Sequence, residues 1–159
     1  MLLLLELIPY VTIFLFGIVV GSFLNVCIYR LPEGESIVKD PSHCMSCGAK
    51  LRWFDLIPLF SWLFLRGRCR QCKAVISVQY PVVEAVNGIL WVAVFLVNGM
   101  NGMSVLYSLM ASALLTLSVI DWRTFEIPFG INVFLGVLGV VAVFLEKEEW
   151  RSHLIGAVC

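Results

Sequence analysis

Long apolar runs alternate with short polar segments along the chain. The first run covers residues 1–28, and a helix of about 20 residues, enough to cross a bilayer core, fits from Pro9 onward. Pro9 suits the start of a helix, where its missing N–H would have no partner. No Lys or Arg precedes Arg30, which disfavours a cleaved signal peptide. We therefore predict a first transmembrane helix over residues 9–29.

Three further apolar runs follow a polar region. They cover residues 81–97, 103–120 and 127–145. Each is predicted to cross a membrane as a helix, because its length and composition match the hydrocarbon core. Residues 153–159 look like the opening of one more apolar segment. The pattern predicts an all-α polytopic membrane protein with about four transmembrane helices and the start of a fifth.

Composition supports a lipid bilayer as the surroundings of this chain. The 159 residues are 60% hydrophobic and 14% charged, whereas soluble domains average about 45–50% and about 25%. Intrinsic disorder is excluded, because it requires low hydrophobicity and high net charge. Six cysteines are too few for a secreted disulfide scaffold with such long apolar runs. No basic patch of the nucleic-acid-binding kind is present, so no nucleic-acid partner is expected.

The positions of the charges predict an orientation that the net charge of zero conceals. Eight of the eleven Lys and Arg residues lie in the polar region 30–79, which the positive-inside rule places in the cytoplasm. The chain is accordingly expected to be a multi-pass protein of the inner (plasma) membrane. We divide it into transmembrane helix 9–29, a cytoplasmic cysteine-rich loop 30–79, and a membrane domain over 80–159.

Two short apolar stretches lie within the polar region. Residues 53–60 and 62–65 are aromatic-rich and too short to span a bilayer. They fit an aromatic patch at the membrane interface or the core of a small domain, and the sequence favours neither.

Four cysteines in the loop predict a metal site. Cys44 and Cys47 form one CxxC pair, and Cys69 and Cys72 form another. Two such pairs bring four thiolates together around Zn²⁺, and four cysteine ligands leave no open position, so the predicted role of the zinc is structural. Disulfides are disfavoured in a cytoplasmic loop. Redox chemistry is disfavoured because no thioredoxin-like context surrounds either pair.

Carboxylates near the membrane face are the candidates for catalysis. Asp121 closes the third predicted span, beside Arg123, and it suits either a catalytic role or an ordinary interfacial cap. Peptide hydrolysis by carboxylates needs two of them sharing a proton. The second is Glu84, Glu126 or a group that these residues do not contain. For Glu84, the alternatives are a headgroup contact or a partner arginine.

Several motifs closely resemble those of the type IV prepilin peptidases (leader peptidase/N-methyltransferases). GSFLNVCIYRLP at 21–32 resembles the opening signature of that family. RWFDLIPLFSW at 52–62 and RGRCR at 66–70 resemble its cytoplasmic loop, and ISVQYPVVE at 76–84 resembles the entry to its second helix. The resemblance is specific, because these dense motifs occur in the family's order.

The resemblance implies a bifunctional membrane enzyme of type IV pilus and type II secretion systems. Such enzymes cut the basic leader from prepilins and pseudopilins at the cytoplasmic face. They then methylate the new N-terminal amine, usually of a Phe, with S-adenosylmethionine. The family is an aspartic-type peptidase, and Asp121 matches its first catalytic aspartate. Cys44, Cys47, Cys69 and Cys72 match its metal-binding set.

The chain departs from the family pattern in two places. The residue after Pro128 is Phe129, where the family often has an acidic or amide residue. The second catalytic aspartate belongs to a Gly-x-Gly-Asp-x-Lys motif that these residues do not contain. We therefore expect a C-terminally truncated form with feeble or absent cleavage by itself. The alternatives are a non-catalytic zinc-ribbon module that binds a partner and a methyltransferase-only half.

Overall fold

The computed structural model describes residues 2–38 and 41–145, with side chains from residue 5 onward. The described part of the chain is helical and contains no strand beyond isolated bridges. Its α-helices, in chain order, are α1 (Leu2–Arg30), α2 (Phe60–Phe64), α3 (Gln79–Asn98), α4 (Gly102–Thr124) and α5 (Phe129–Leu145), and a single 3₁₀ turn covers Trp53–Leu56. The cysteine-rich loop lies between α1 and α3, the first two membrane helices, as predicted.

The membrane helices follow the predicted runs, with differences at their ends. Three of them, α1, α3 and α4, are long and apolar enough to cross a membrane. The fourth predicted span is present as α5, but its 17 residues make it shorter than the other three. The predicted fifth segment, over residues 153–159, lies outside the described residues.

The prediction that the first helix begins at Pro9 is wrong. The helix begins at Leu2 and contains Pro9. The residues before Pro9 are mostly leucine, a strong helix former, so the helix extends toward the N-terminus. Pro9 leaves only the Leu5 carbonyl without its usual N–H donor, and transmembrane helices tolerate such a proline.

Glycine residues allow α1 and α3 to pack closely. A Cβ added at Gly17 would lie 2.7 Å from the Gly88 Cα, and one added at Gly21 would lie 2.8 Å from the Glu84 Cα. These two contacts move in opposite directions along the helices, so α1 and α3 are antiparallel. Small residues are the usual means of helix association in membranes, where the hydrophobic effect does not drive it.

Buried polar side chains connect three membrane helices. Asn87 of α3 donates from Nδ2 to the Gly17 carbonyl of α1 at 2.7 Å. Its Oδ1 accepts from the Ser112 hydroxyl of α4 at 2.8 Å, and that hydroxyl accepts from the Trp91 indole at 2.9 Å. Asn87 is fully buried, so these bonds replace the water that an amide would otherwise need. They fix which faces of the three helices meet.

Aromatic side chains show that one end of the bundle gathers the start of α3 and the ends of α1 and α4. The rings of Tyr29 and Tyr80 stack with their centroids 5.2 Å apart. The Arg123 guanidinium carbon lies 4.0 Å from the Tyr29 centroid, in a cation–π contact. The cysteine-rich loop leaves and re-enters the bundle at this end, so the loop and Asp121 share it.

The two aromatic stretches of the loop are exposed. The 3₁₀ turn Trp53–Leu56 and helix α2 contain no buried residue. Trp53 is 78% exposed and Phe64 is 83% exposed, whereas Phe54 and Trp62 are half-buried. The most exposed of these rings suit contact with a membrane interface, which stays a prediction.

We expect Gly17→Ala to destabilise the bundle. The new Cβ meets the backbone of Gly88, which cannot rotate away, and overpacking of this kind costs about 1–3 kcal/mol. Thermal unfolding in detergent should show a lower midpoint than wild type. The control is Gly136→Ala in α5, where no atom lies within 4 Å of the added Cβ. Equal midpoints for the two variants would contradict the close packing of α1 and α3.

Candidate functional site: the cysteine cluster and the cavity beneath it

The four cysteines of the loop form one cluster. The Sγ atoms of Cys44, Cys47, Cys69 and Cys72 all lie within 4.8 Å of one another, and those of Cys44 and Cys72 are 3.8 Å apart. Tetrahedral Zn–S bonds of about 2.3 Å require S···S separations of about 3.8 Å, so the arrangement fits a zinc ion. Disulfide sulfurs lie about 2.05 Å apart, and these cysteines are free thiols. The four cysteines are positioned to bind a metal ion.

Each CxxC pair lies in a turn of the same design. Cys44 N–H donates to the Ala49 carbonyl at 2.9 Å, and Cys69 N–H donates to the Ala74 carbonyl at 2.8 Å. After each pair the backbone takes a positive φ, at Gly48 and at Lys73. Each pair therefore lies in a tight turn, and the left-handed residue in each closes the turn around its two thiols.

Backbone amides of the first turn prepare its thiol for metal binding. The N–H groups of Ser46 and Cys47 lower the pKa of the Cys44 thiol to about 6. The thiolate, not the thiol, is the metal ligand, so this hydrogen bonding favours the binding form at neutral pH.

Charged side chains attach the cluster to the rest of the loop. Arg70, between the second pair of cysteines, forms an ion pair with Asp55 at 2.8 Å, and the Asp55 side chain is 7% exposed. The Arg70 guanidinium carbon also lies 5.0 Å from the Phe54 ring centroid. At the other side of the loop, Arg30 donates to the Ser36 carbonyl at 3.0 Å. The contacts of Arg70 join two parts of the loop, and the Arg30 bond holds the loop against the end of α1.

Glu84 fits neither ordinary explanation considered for it. Its side chain is 6% exposed, and its Oε2 accepts from the Leu59 backbone N–H at 2.7 Å. It therefore neither extends to the headgroups nor pairs with an arginine among the described residues. The bond joins the loop to α3 across 25 positions of sequence. Leu59 has a positive φ of 60°, a strained conformation that this bond helps to hold.

A cavity of about 900 Å³ lies between the cysteine-rich loop and helices α1 and α3. Cys44 and Cys69 line its loop end, while Asn25 and Glu84 line its membrane end. Asn25 was visible in the sequence only as a polar interruption of an apolar run. The structure shows it 2% exposed, with Nδ2 donating to the Tyr80 carbonyl at 3.0 Å.

Asp121 lies in the last turn of α4 rather than after it. Its side chain is exposed, and its carbonyl accepts the Phe125 N–H that ends the helix. It has no ion-pair partner among the described residues, and Arg123 contacts Tyr29 instead. Asp121 is not among the residues that line the cavity, and it shares no described hydrogen bond with Glu84. The described structure therefore does not pair Asp121 with Glu84.

Comparison with known proteins identifies the group to which this architecture belongs. Residues 15–98 match the family model described as Bacterial Peptidase A24 N-terminal domain. These residues include the last half of α1, the whole cysteine-rich loop and all of α3. No solved structure matches the chain.

Named relatives agree with the family model. The chain is 41% identical over 152 residues to a Prepilin leader peptidase/N-methyltransferase of Myxococcus xanthus, an alignment covering 94% of this chain and 45% of that protein. A protein of the same name from Pectobacterium carotovorum is 40% identical, over 79% of this chain and 52% of that protein. A Type 4 prepilin-like proteins leader peptide-processing enzyme of Escherichia coli is 37% identical, over 83% and 56%. The chain thus spans about half the length of the curated relatives that it matches. The chain has two membrane helices on either side of a four-cysteine loop, a family model that matches more than half of its residues, and relatives that share this name. The chain therefore belongs to the prepilin leader peptidase/N-methyltransferase family.

Proposed function

We propose that this chain provides the loop and the first catalytic aspartate of a prepilin leader peptidase/N-methyltransferase. The observation that carries the proposal is the cysteine cluster above a large cavity at the end of the bundle where Asp121 lies. The relatives named for both activities support it. The substrates would be prepilins or pseudopilins, and the protein would lie in the inner membrane with the loop in the cytoplasm.

For cleavage, Asp121 is the proposed member of a carboxylate pair. One carboxylate of such a pair takes a proton from water as a general base, and the other donates a proton to the leaving amine. Asp121 is exposed at the end of α4, so substrate and water have access to it. Glu84 is a poor partner because it is buried and bonded to Leu59. The second aspartate is proposed to come from outside these residues, as the family resemblance implies.

For methylation, the cavity is the proposed site of S-adenosylmethionine. Its volume of about 900 Å³ lies within the range of about 300–1,000 Å³ that is usual for small-molecule sites. Ser42, Ser46 and Lys50 line its loop side and offer polar contacts to the cofactor. When bound, the cofactor supplies an electrophilic methyl group. The zinc ion proposed for the four cysteines would hold the loop that forms this wall.

The direct test is to measure the two activities separately. The test uses membranes that contain the whole protein, meaning this chain together with the segment proposed to carry the second aspartate. Prepilin is added, and the product is examined for leader removal and for one added methyl group on its N-terminal amine. The proposal expects both. Neither activity would favour the non-catalytic partner-binding module, and methylation of a leaderless substrate without cleavage would favour the methyltransferase-only half. A matched membrane without the protein controls for host enzymes.

A further inference from the structure

We propose that the membrane end of the cavity binds the α-ammonium group of a peptide whose following residues are apolar, with Glu84 and Asn25 as the groups that receive it. This inference rests on the proposed methyl transfer and names the part of the cavity that would hold the amine. The proposed ligand is the N-terminus that leader removal exposes.

The first observation is a buried carboxylate that lacks a cation. Glu84 is 6% exposed and uses its Oε2 to accept from Leu59 N–H. Among the described residues, Arg70 forms an ion pair with Asp55, and Glu84 forms none. A carboxylate within a membrane helix is costly without an opposite charge, and such residues usually mark a functional site. A bound ammonium group would supply that charge.

The second observation is a buried acceptor that lacks a donor. Asn25 is 2% exposed, and its Oδ1 has no hydrogen-bond partner. Its Nδ2 is already engaged by the Tyr80 carbonyl, so the oxygen is the free end of the amide. Buried polar atoms are rarely left without a partner, and an ammonium group offers three donors. Asn25 and Glu84 line the same cavity.

The helix packing brings these two groups to one place. Gly21 of α1 faces the Glu84 Cα, and Asn25, one turn further along α1, bonds to Tyr80, one turn earlier in α3. The two acceptors therefore occupy neighbouring turns of the same helix pair. An amine placed there would receive a charge-assisted bond from the carboxylate and a second bond from the amide oxygen.

The membrane end of the cavity also suits the apolar residues that follow the amine. Val19 and Phe23 of α1 line the cavity, and the side chains of both are more than half exposed. A peptide that lies along the membrane helices would place its side chains against these residues and its N-terminus toward Glu84. The charge and the apolar contact together select an N-terminal amine over a lysine in a polar segment.

The cations in the cavity wall are already engaged elsewhere, with one exception. Arg70 pairs with Asp55, Arg52 lies over the Phe54 ring, and Arg30 donates to loop carbonyls. Lys50 lines the cavity from the exposed loop side, beside the cysteine turns rather than on the helices. Among the described residues, none of these cations pairs with the Glu84 carboxylate, which leaves it for the ammonium group of the proposed peptide.

The test measures peptide binding by the zinc-loaded whole protein in lipid nanodiscs. The probes are a peptide that begins with Phe and continues with apolar residues, and its N-acetylated twin. Wild type is expected to bind the free-amine peptide about 10- to 100-fold more tightly than the acetylated one, as expected for a bond between charged groups. Glu84→Gln should abolish this preference. Gln retains an oxygen to accept the Leu59 N–H, so only the charge is removed.

Two further variants make the result specific. Asn25→Leu should weaken free-amine binding to a lesser extent, because it removes an acceptor and not a charge. The matched control is Glu6→Gln, the same chemical change on an exposed residue near the beginning of α1, which should retain the full preference. Zinc content is measured for every variant, so that a loss of loop structure is recognised.

The outcomes separate this proposal from the proposed function. In the methylation assay, Glu84→Gln should raise KM for the leaderless peptide about tenfold or more. A variant that keeps both the wild-type preference and KM would overturn the amine site, while methyl transfer by wild type would still support the proposed function. Amine-selective binding that depends on Glu84, in a protein that transfers no methyl group, would support the site and reject that function.

Discussion

Asp121→Asn should lower prepilin cleavage by the whole protein about 10²- to 10⁴-fold. The substitution keeps the size of the side chain and removes the group that exchanges the proton, and a positioned general acid or base contributes a factor of this size. Asp121 is exposed, and surface substitutions usually change stability by less than about 0.5 kcal/mol, so the substitution should not impair folding. Leader removal is followed by the shift in substrate mass.

The matched control is Glu6→Gln, which removes an exposed carboxylate near the beginning of α1. It should cleave at the wild-type rate. Methylation of a substrate supplied without its leader should survive Asp121→Asn, because the proposed amine and cofactor sites lie in the cavity that Asp121 does not line. Wild-type cleavage by Asp121→Asn would remove this residue from the mechanism.

Cys69→Ser should reduce the zinc content of the purified protein from about one ion per chain to a small fraction of that value. Structural zinc sites contribute about 10–16 kcal/mol of apparent binding energy, and this energy is also folding energy for the segment that carries the ligands. Cys69 is 4% exposed, so its loss also leaves a defect in the interior of the loop. Metal analysis measures the content, and limited proteolysis measures the order of the loop.

Cys27→Ser is the matched control, because Cys27 is a buried free cysteine of α1 that lies outside the cluster. It should retain zinc and a protease-resistant loop. A Cys69→Ser protein that binds no metal and still resists proteolysis as wild type does would show that the loop does not depend on zinc. Treatment of wild type with a strong chelator should reproduce the Cys69→Ser result, since it removes the same ion.

The features predicted well from the sequence are those encoded within a short window. Apolar runs of membrane length predicted α1, α3 and α4, and the CxxC spacing predicted the cysteine cluster. The error at Pro9 arose from a local rule, because a membrane helix tolerates a proline that a rule derived from soluble helices places at its start. The apolar run at 127–145 correctly predicted the presence of α5 but overestimated the length of this helix.

The features that the sequence left open depend on which helix faces meet. For Glu84, the partner is Leu59, 25 positions away and in a segment without helical periodicity. For Asn25, the free oxygen follows from the contact of its nitrogen with Tyr80. Neither contact is visible in a pattern of apolar residues, because the lipid-facing and buried positions of a membrane helix are both apolar.

The sequence by itself determined the membrane class, the approximate spans, the four cysteines that are positioned to bind a metal ion and the family resemblance. Each of these follows from residue types at short, regular spacing, so local patterns in the sequence are enough to predict it. The tertiary structure alone decided that Glu84 and Asn25 line one cavity beneath the cluster and that Asp121 lies outside it. The reason is that Gly17, Gly21 and Gly88 let α1 and α3 approach closely in one register, and this register exists only once residues far apart in sequence have packed together.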